Sequence, residues 1–118
     1  ARKAAADIEA AGGTAAWRVC DVSDSAAVRA AVEATVAAFG KLDTAVNTAA
    51  NNDPSGTIVE LAEDDWNRAM AVNLTGVYLV CKFAIPKIAA AGGGSIVIVA
   101  SQLGQVVDQG EWPGRSPP

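Results

Sequence analysis

The apolar positions of this 118-residue chain fall into two kinds of run. Three runs are short and strand-like, and each ends in a polar residue. They are residues 15–20 leading into Asp21, 42–46 into Asn47, and 95–100 into Ser101. Between them the apolar spacing is helical. Residues 2–11 predict an alanine-rich amphipathic helix stopped by Gly12 and Gly13, which tolerate the left-handed backbone past a helix end. Val28, Val32, Val36 and Phe39 recur every three or four positions, with Ser23 or Asp24 as the N-cap and Gly40 as the stop. A further helical stretch begins near Leu61, carries Glu63, Asp64 and Asp65 in its first turn, and continues through Trp66, Met70 and Val72 to Asn73. A second apolar helix spans about Thr75 to Ala91, kinked at Pro86 and ended by Gly92, Gly93 and Gly94.

The order helix, strand, helix, strand, helix, strand predicts a parallel α/β fold, because each connection is long enough for a crossover. The run 95–100 is rich in β-branched residues, as in strands buried on both faces. Parallel strands bring their carboxyl ends to one rim, where open α/β sheets bind ligands. Asp21, Asn47 and Ser101 therefore point to one binding edge. Residues 47–56 read as a loop with turn chemistry, and the tail from Gln102 to Pro118 as irregular.

Composition narrows the function. Apolar residues make up 51% of the chain and charged residues 19%, and the net charge is -4 without a basic stripe, which argues against a nucleic-acid partner. No uninterrupted apolar run approaches the roughly 20 residues of a membrane span, so no membrane partner is expected. The first residues lead into the alanine-rich helix and not into the apolar core of a signal peptide. Cys20 and Cys81 read as free thiols of a reducing cytoplasm. With no histidine and two cysteines, no structural zinc site and no histidine-dependent hydrolase is expected. The acidic set Glu60, Glu63, Asp64 and Asp65 reads as a helix start, and Trp17, Trp66 and Trp112 as packing residues.

Asn73 interrupts an apolar helical run, where an asparagine competes with the backbone for hydrogen bonds. Such a residue marks a kink, a bound water or a functional carbonyl contact.

Taken together, Cys20 to Asp24, Phe39 to Ala50, Trp66 with Val72 to Gly76, and Gly93 to Ser101 resemble the short-chain dehydrogenase/reductase family. The resemblance runs in order from residue 1 to about 104, which implies a partial NAD(P)-binding Rossmann-type domain over 1–104 and an irregular tail over 105–118. It implies an NAD(P)-dependent oxidoreductase that moves a hydride between nicotinamide and a carbonyl or alcohol substrate. NAD and NADP are not distinguished. A homo-oligomeric, cytoplasmic parent protein is implied as well.

Roles follow by the same resemblance. Asp21 would accept from the adenine amino group, with the Val22 backbone beside it. Asn47 would lie against the adenosine ribose and the central strand, with Ala49 in the same cofactor-binding loop. The backbone of Asn73 would hold a water of the proton relay, and the Ser101 hydroxyl would bond the substrate oxygen.

The chain also departs from the family pattern. The family's Asn-Asn-Ala-Gly stands here as Asn47, Thr48, Ala49 and Ala50, and the Ala50 methyl is expected to cost cofactor affinity. The glycine-rich Thr-Gly-x-x-x-Gly-x-Gly phosphate loop has no counterpart, nor does a Tyr-x-x-x-Lys pair beyond Ser101. The 118 residues alone are therefore expected to be inactive. Tyr78 and Lys82 spell that pair but precede Ser101, and Tyr78 reads as a core-facing packing residue.

The family's strand order of 3-2-1-4-5-6-7 would set the 15–20 run two slots, roughly 14 Å, from the 42–46 run. Without the intervening strands, the isolated chain should either pair these two runs directly or fold poorly. The alternative function is a non-catalytic remnant that binds a partner or sister subunit through the apolar helix 75–91, whose Val77, Leu79, Val80, Phe83, Ala84 and Ile88 leave much of its surface greasy. A receiver-like domain would need a lysine where Ser101 stands.

Overall fold

A computed structural model describes residues 1–51 and 57–101. Helix α1 spans Arg2–Ala10, α2 Ser25–Phe39, and strand β1 Thr44–Asn47. Helix α3 spans Glu63–Met70, a π-helical turn covers Ala71–Thr75, helix α4 spans Gly76–Ala90, and strand β2 covers Ser95–Ile98. The expected loop residues 52–56 and the tail after Ser101, Trp112 included, lie outside the described residues.

Local chemistry sets most of these ends. Asp24 caps α2, its Oδ1 accepting from the backbone N–H groups of Ala26 at 2.8 Å and Ala27 at 3.3 Å. Gly40 ends α2 at a φ of 80°, a conformation only glycine adopts without strain. Glu63, Asp64 and Asp65 occupy the first turn of α3, where carboxylates meet the positive end of the helix dipole.

Strands β1 and β2 pair in parallel, with Thr44 opposite Ser95 and Asn47 opposite Ile98. The chain must therefore return from the Asn47 end to the Ser95 end between them, and the helical run from Glu63 to Ala90 makes that return. At about 1.5 Å per residue those 28 residues reach roughly 40 Å, far more than a four-residue strand needs. Helix α4 contacts both strands, while among the described elements α3 contacts the π-helical turn that continues it.

By length and composition the same run also passes for a membrane span. Within it Leu79, Ala84 and Ile88 are buried, while most of the run is not. Helix α4 packs against α2, where Val28 is 2% exposed. Ala5 completes the buried apolar set among the described residues.

Three expectations are corrected. The first concerns the run 15–20, which forms no ladder, with β1 and β2 constituting the sheet among the described residues. A strand exists only with a hydrogen-bonded neighbour, and this segment is held elsewhere by its side chains. The Arg2 guanidinium stacks 5.0 Å from the Trp17 ring, and Arg18 Nη1 donates to the carbonyl of Ala30 at 3.2 Å. Of the two outcomes expected for this run, direct pairing with the 42–46 run does not occur among the described residues.

The second concerns the two helices expected on either side of Asn73. They form one continuous helical run, with a π-helical turn where a break was expected. The third concerns Tyr78, which is 56% exposed and not core-facing. Lys82 Nζ sits 5.5 Å from its ring centre, one helical turn on.

Candidate functional site at the sheet rim

Asp21 follows the unpaired run and forms a tight polar turn. Its Oδ1 accepts from the Ser23 backbone N–H at 2.9 Å and from the Ser23 hydroxyl at 2.7 Å. The Ser23 side chain, then its backbone N–H, holds the Asp21 carboxyl below the ordinary carboxylate range. Asp21 is thus ionised at neutral pH, an acceptor at the rim.

Val22, the next residue, lies against the start of α4. A Cβ added at Gly76 would sit 2.9 Å from Val22 Cγ2 and 3.3 Å from the Val22 carbonyl oxygen. Glycine at 76 is what lets the 21–22 segment approach the helix so closely.

Asn47 closes β1 and is 7% exposed. Its Oδ1 accepts from the Ala49 N–H at 3.1 Å, turning the chain, and its carbonyl accepts from the Val99 N–H at 3.0 Å. That last bond carries the pairing one residue beyond β2, toward Ser101. The Asn47 Nδ2 is buried and donates to nothing among the described residues. A buried donor left in this state costs roughly 1–3 kcal/mol. Ala50 has no positive φ, so an alanine in place of the family's glycine brings no backbone strain.

Asn73 lies in the π-helical turn. Its Oδ1 accepts from the Asn51 N–H at 2.7 Å and its Nδ2 donates to the Asn51 carbonyl at 2.8 Å. Twenty-two residues apart in sequence, the two are joined by a pair of bonds that straps the loop after β1 onto the helix. The turn itself closes with the Gly76 N–H donating to the Ala71 carbonyl, one residue farther than an α-helix allows. Asn51 is the residue that sequence reasoning missed. Nothing in a polar loop marks one asparagine as the partner of a helix so far along the chain.

Two contacts bring predicted residues onto the same helical run. Val22 meets α4 at Gly76, the 47–51 loop meets the same helical run at Asn73, and Ser101 lies three residues past Ile98, the partner of Asn47. At the start of α3 and in the turn before it, Ile58, Leu61, Glu63, Trp66 and Asn67 line an open depression of about 280 Å³. Glu60 ties its own turn, its Oε2 accepting from the Thr57 N–H and hydroxyl. No three histidine, cysteine, aspartate or glutamate side chains converge as a metal site among the described residues.

A family model described as enoyl-(acyl carrier protein) reductase matches residues 1–114. The chain belongs to the short-chain dehydrogenase/reductase family. It is 42% identical over 104 residues to the 2,5-dichloro-2,5-cyclohexadiene-1,4-diol dehydrogenase LinX of Sphingobium indicum, an alignment covering 88% of this chain and 41% of that protein. Among solved structures it is similar to a 3-ketoacyl-ACP reductase from Sinorhizobium meliloti 1021 (38% identity, TM-score 0.85, 87% of this chain and 40% of that one). It is also similar to a xylitol dehydrogenase solved with NAD+ bound (32% identity, TM-score 0.83, 88% and 40%). The chain thus spans about 40% of the length of these short-chain dehydrogenases and reductases. Their fold is of the Rossmann type, which fixes the parallel β1–β2 pair and its covering helices as part of a doubly wound sheet.

Proposed function

We propose that the protein is an NAD(P)-dependent oxidoreductase acting on a small alcohol or carbonyl compound, with the rim of β1 and β2 as its cofactor edge. The observation that carries this reading is the convergence of the Asp21–Val22 turn, the 47–51 loop and Asn73 on one helical run beside the carboxyl end of a parallel pair.

The residues present fit a dinucleotide. Asp21 offers an ionised acceptor suited to an exocyclic amine. Val22 and Ala49 offer small apolar surface, and Asn47 offers a buried donor that lacks an acceptor among the described residues. When bound, the nicotinamide would supply or accept the hydride. Ser101 would donate its hydroxyl hydrogen bond to the substrate oxygen and stabilise charge as it develops there. Asn73 would hold a relay water on its backbone carbonyl, in a turn whose altered hydrogen-bond spacing suits such a contact. These 118 residues contain neither the glycine-rich phosphate loop nor a Tyr-x-x-x-Lys pair after Ser101, so on their own they would turn over negligibly.

The test is titration of the protein with NADH and NADPH by fluorescence, with alcohol oxidation followed by nicotinamide absorbance. Saturable micromolar binding and turnover abolished by Ser101→Ala are expected of the protein. No saturable binding is expected of the 118 residues alone. A protein that binds neither nucleotide would refute the reading. The second reading, a subunit-interaction module, draws on Leu74, Tyr78 and Ile85, which stand exposed along the π-helical turn and α4. It would be favoured by self-association without nucleotide binding.

A further inference from the structure

We infer that Ser23 is a positioning residue for the base end of the cofactor, acting through Asp21, and that its hydroxyl sets the preference for an amine over a carbonyl on that base. This rests on the dinucleotide reading and goes beyond it, since it assigns base discrimination to a residue that would not itself touch the base.

The geometry of the 21–24 turn carries it. The sequence allows either Ser23 or Asp24 as the N-cap of α2, and Asp24 takes that place. The Ser23 hydroxyl is thereby released from the helix and donates backward to Asp21 Oδ1 at 2.7 Å. The Ser23 N–H donates to the same oxygen at 2.9 Å. An aspartate carboxyl ordinarily turns over a broad range about χ2, and two donors on one oxygen fix it. Every bond the Asp21 carboxylate makes among the described residues falls on Oδ1, which leaves Oδ2 as the acceptor for a ligand.

The backbone of the turn is set by other contacts. The Asp24 N–H donates to the Asp21 carbonyl at 3.1 Å, and Val22 lies against α4 at Gly76. What remains for Ser23 is the orientation of the carboxylate. An ionised Oδ2 accepts from the amine of adenine and repels the carbonyl oxygen that hypoxanthine carries at the same ring position. A serine or threonine hydroxyl supplies the short bond to a charged oxygen, and alanine does not. Without it, the Ser23 N–H alone holds Oδ1 and the carboxylate is free to turn.

The experiment measures Kd for NADH and for reduced nicotinamide hypoxanthine dinucleotide by fluorescence, in the protein and three variants. The parent should bind NADH about tenfold more tightly than the hypoxanthine analogue. Ser23→Ala should narrow that ratio to about threefold, mainly by weakening NADH, and Ser23→Thr should restore it. Asp21→Asn gives the sharper reading. The two Ser23 donors select the amide oxygen, which puts the NH2 group in the place of Oδ2, so the hypoxanthine analogue should now bind more tightly than NADH. Ser23→Ala with the ratio of the parent, or with both dinucleotides weakened equally, would overturn the proposal. So would an Asp21→Asn variant that still prefers NADH. If Ser23→Ala does not fold, Asp21→Asn decides by its reversal. A parent that binds both dinucleotides alike refutes the proposal alone, whereas one that binds neither refutes the dinucleotide reading and the proposal with it.

Discussion

Gly76→Ala sets two effects of known sign against each other. Replacing a helical glycine with alanine stabilises a helix by about 0.8–1.0 kcal/mol through backbone entropy. Here the new methyl would lie 2.9 Å from Val22 Cγ2, 3.2 Å from Val22 Cβ and 3.3 Å from the Val22 carbonyl oxygen. Carbon atoms pack at about 3.5–4.0 Å, so the overlap is roughly half an ångström at Cγ2 and a few tenths at the Cβ and the carbonyl oxygen. Valine cannot swing clear, being stiff at χ1, and the carbonyl is backbone. Relief requires moving the 21–22 segment, and overpacking of this kind costs roughly 1–3 kcal/mol. The clash wins. A net loss of about 1 kcal/mol is expected in urea unfolding of the protein followed by far-UV circular dichroism, with weaker NADH binding because Asp21 moves with Val22. Adding Val22→Ala should recover part of the loss, since Cγ2 goes while Cβ and the carbonyl stay. A Gly76→Ala variant more stable than its parent, with NADH affinity unchanged, would show that propensity decides and that the contact has been misjudged.

Asp24→Ala removes the cap from the first turn of α2 and should cost about 1 kcal/mol in the same urea assay, with Asp24→Ser close to neutral. Gly94→Ala drives a methyl into the carbonyl oxygen of Asp43, the group that accepts the Ser95 N–H, and should abolish amide-exchange protection at Ser95 and Val99. The Asp21 carboxyl titrates below its usual range because of Ser23, so its contribution to the turn is complete above the unfolded value, about pH 4, and fades as pH falls through the lower folded value. NMR titration of the Ser23 amide should follow that acid transition in the parent and lose it in Asp21→Asn.

The features legible in the sequence were those fixed within a few residues. Helix ends followed from Asp24, Gly40 and the glycines after Ala91, because capping is a local contest between side chain and backbone. The parallel pair followed from a short apolar run, a β-branched run and the long helical return between them. The 15–20 run carried the same local signal and still forms no ladder, since a strand's hydrogen bonds belong to whatever lies beside it. Tyr78 was misplaced for a related reason. In α4 nearly every residue is apolar, so periodicity leaves the buried face undefined, and only packing against α2 decides that Leu79, Ala84 and Ile88 go in while Tyr78 and Ile85 stay out. Asn73 was flagged by its setting in an apolar run, yet its partner was not legible, because a contact across twenty-two residues leaves no periodic trace.

Parallel strands are normally covered on both faces. In this sheet Ala45, Asn47, Ile96 and Ile98 share one face and Val46 and Val97 the other; Val46 and Val97 are 60% and 48% exposed, and Ile98, at the end of the first face, is 48% exposed as well. With one face open and the outer edge of β1 unpaired among the described residues, the sheet contributes less to stability than its sequence could. The rim does not share this weakness. Val22 against Gly76, Asn51 against Asn73, and the Asn47 carbonyl with the Val99 N–H all lie on the helical run or between the two paired strands. None of these contacts uses the open face. The helix from Glu63 to Ala90 is therefore the element that organises the site, and the sheet is the surface it closes on. A substitution on the open face should lower stability well before it displaces Asp21, Asn47 or Asn73, whereas a defect at the π-helical turn should do the reverse.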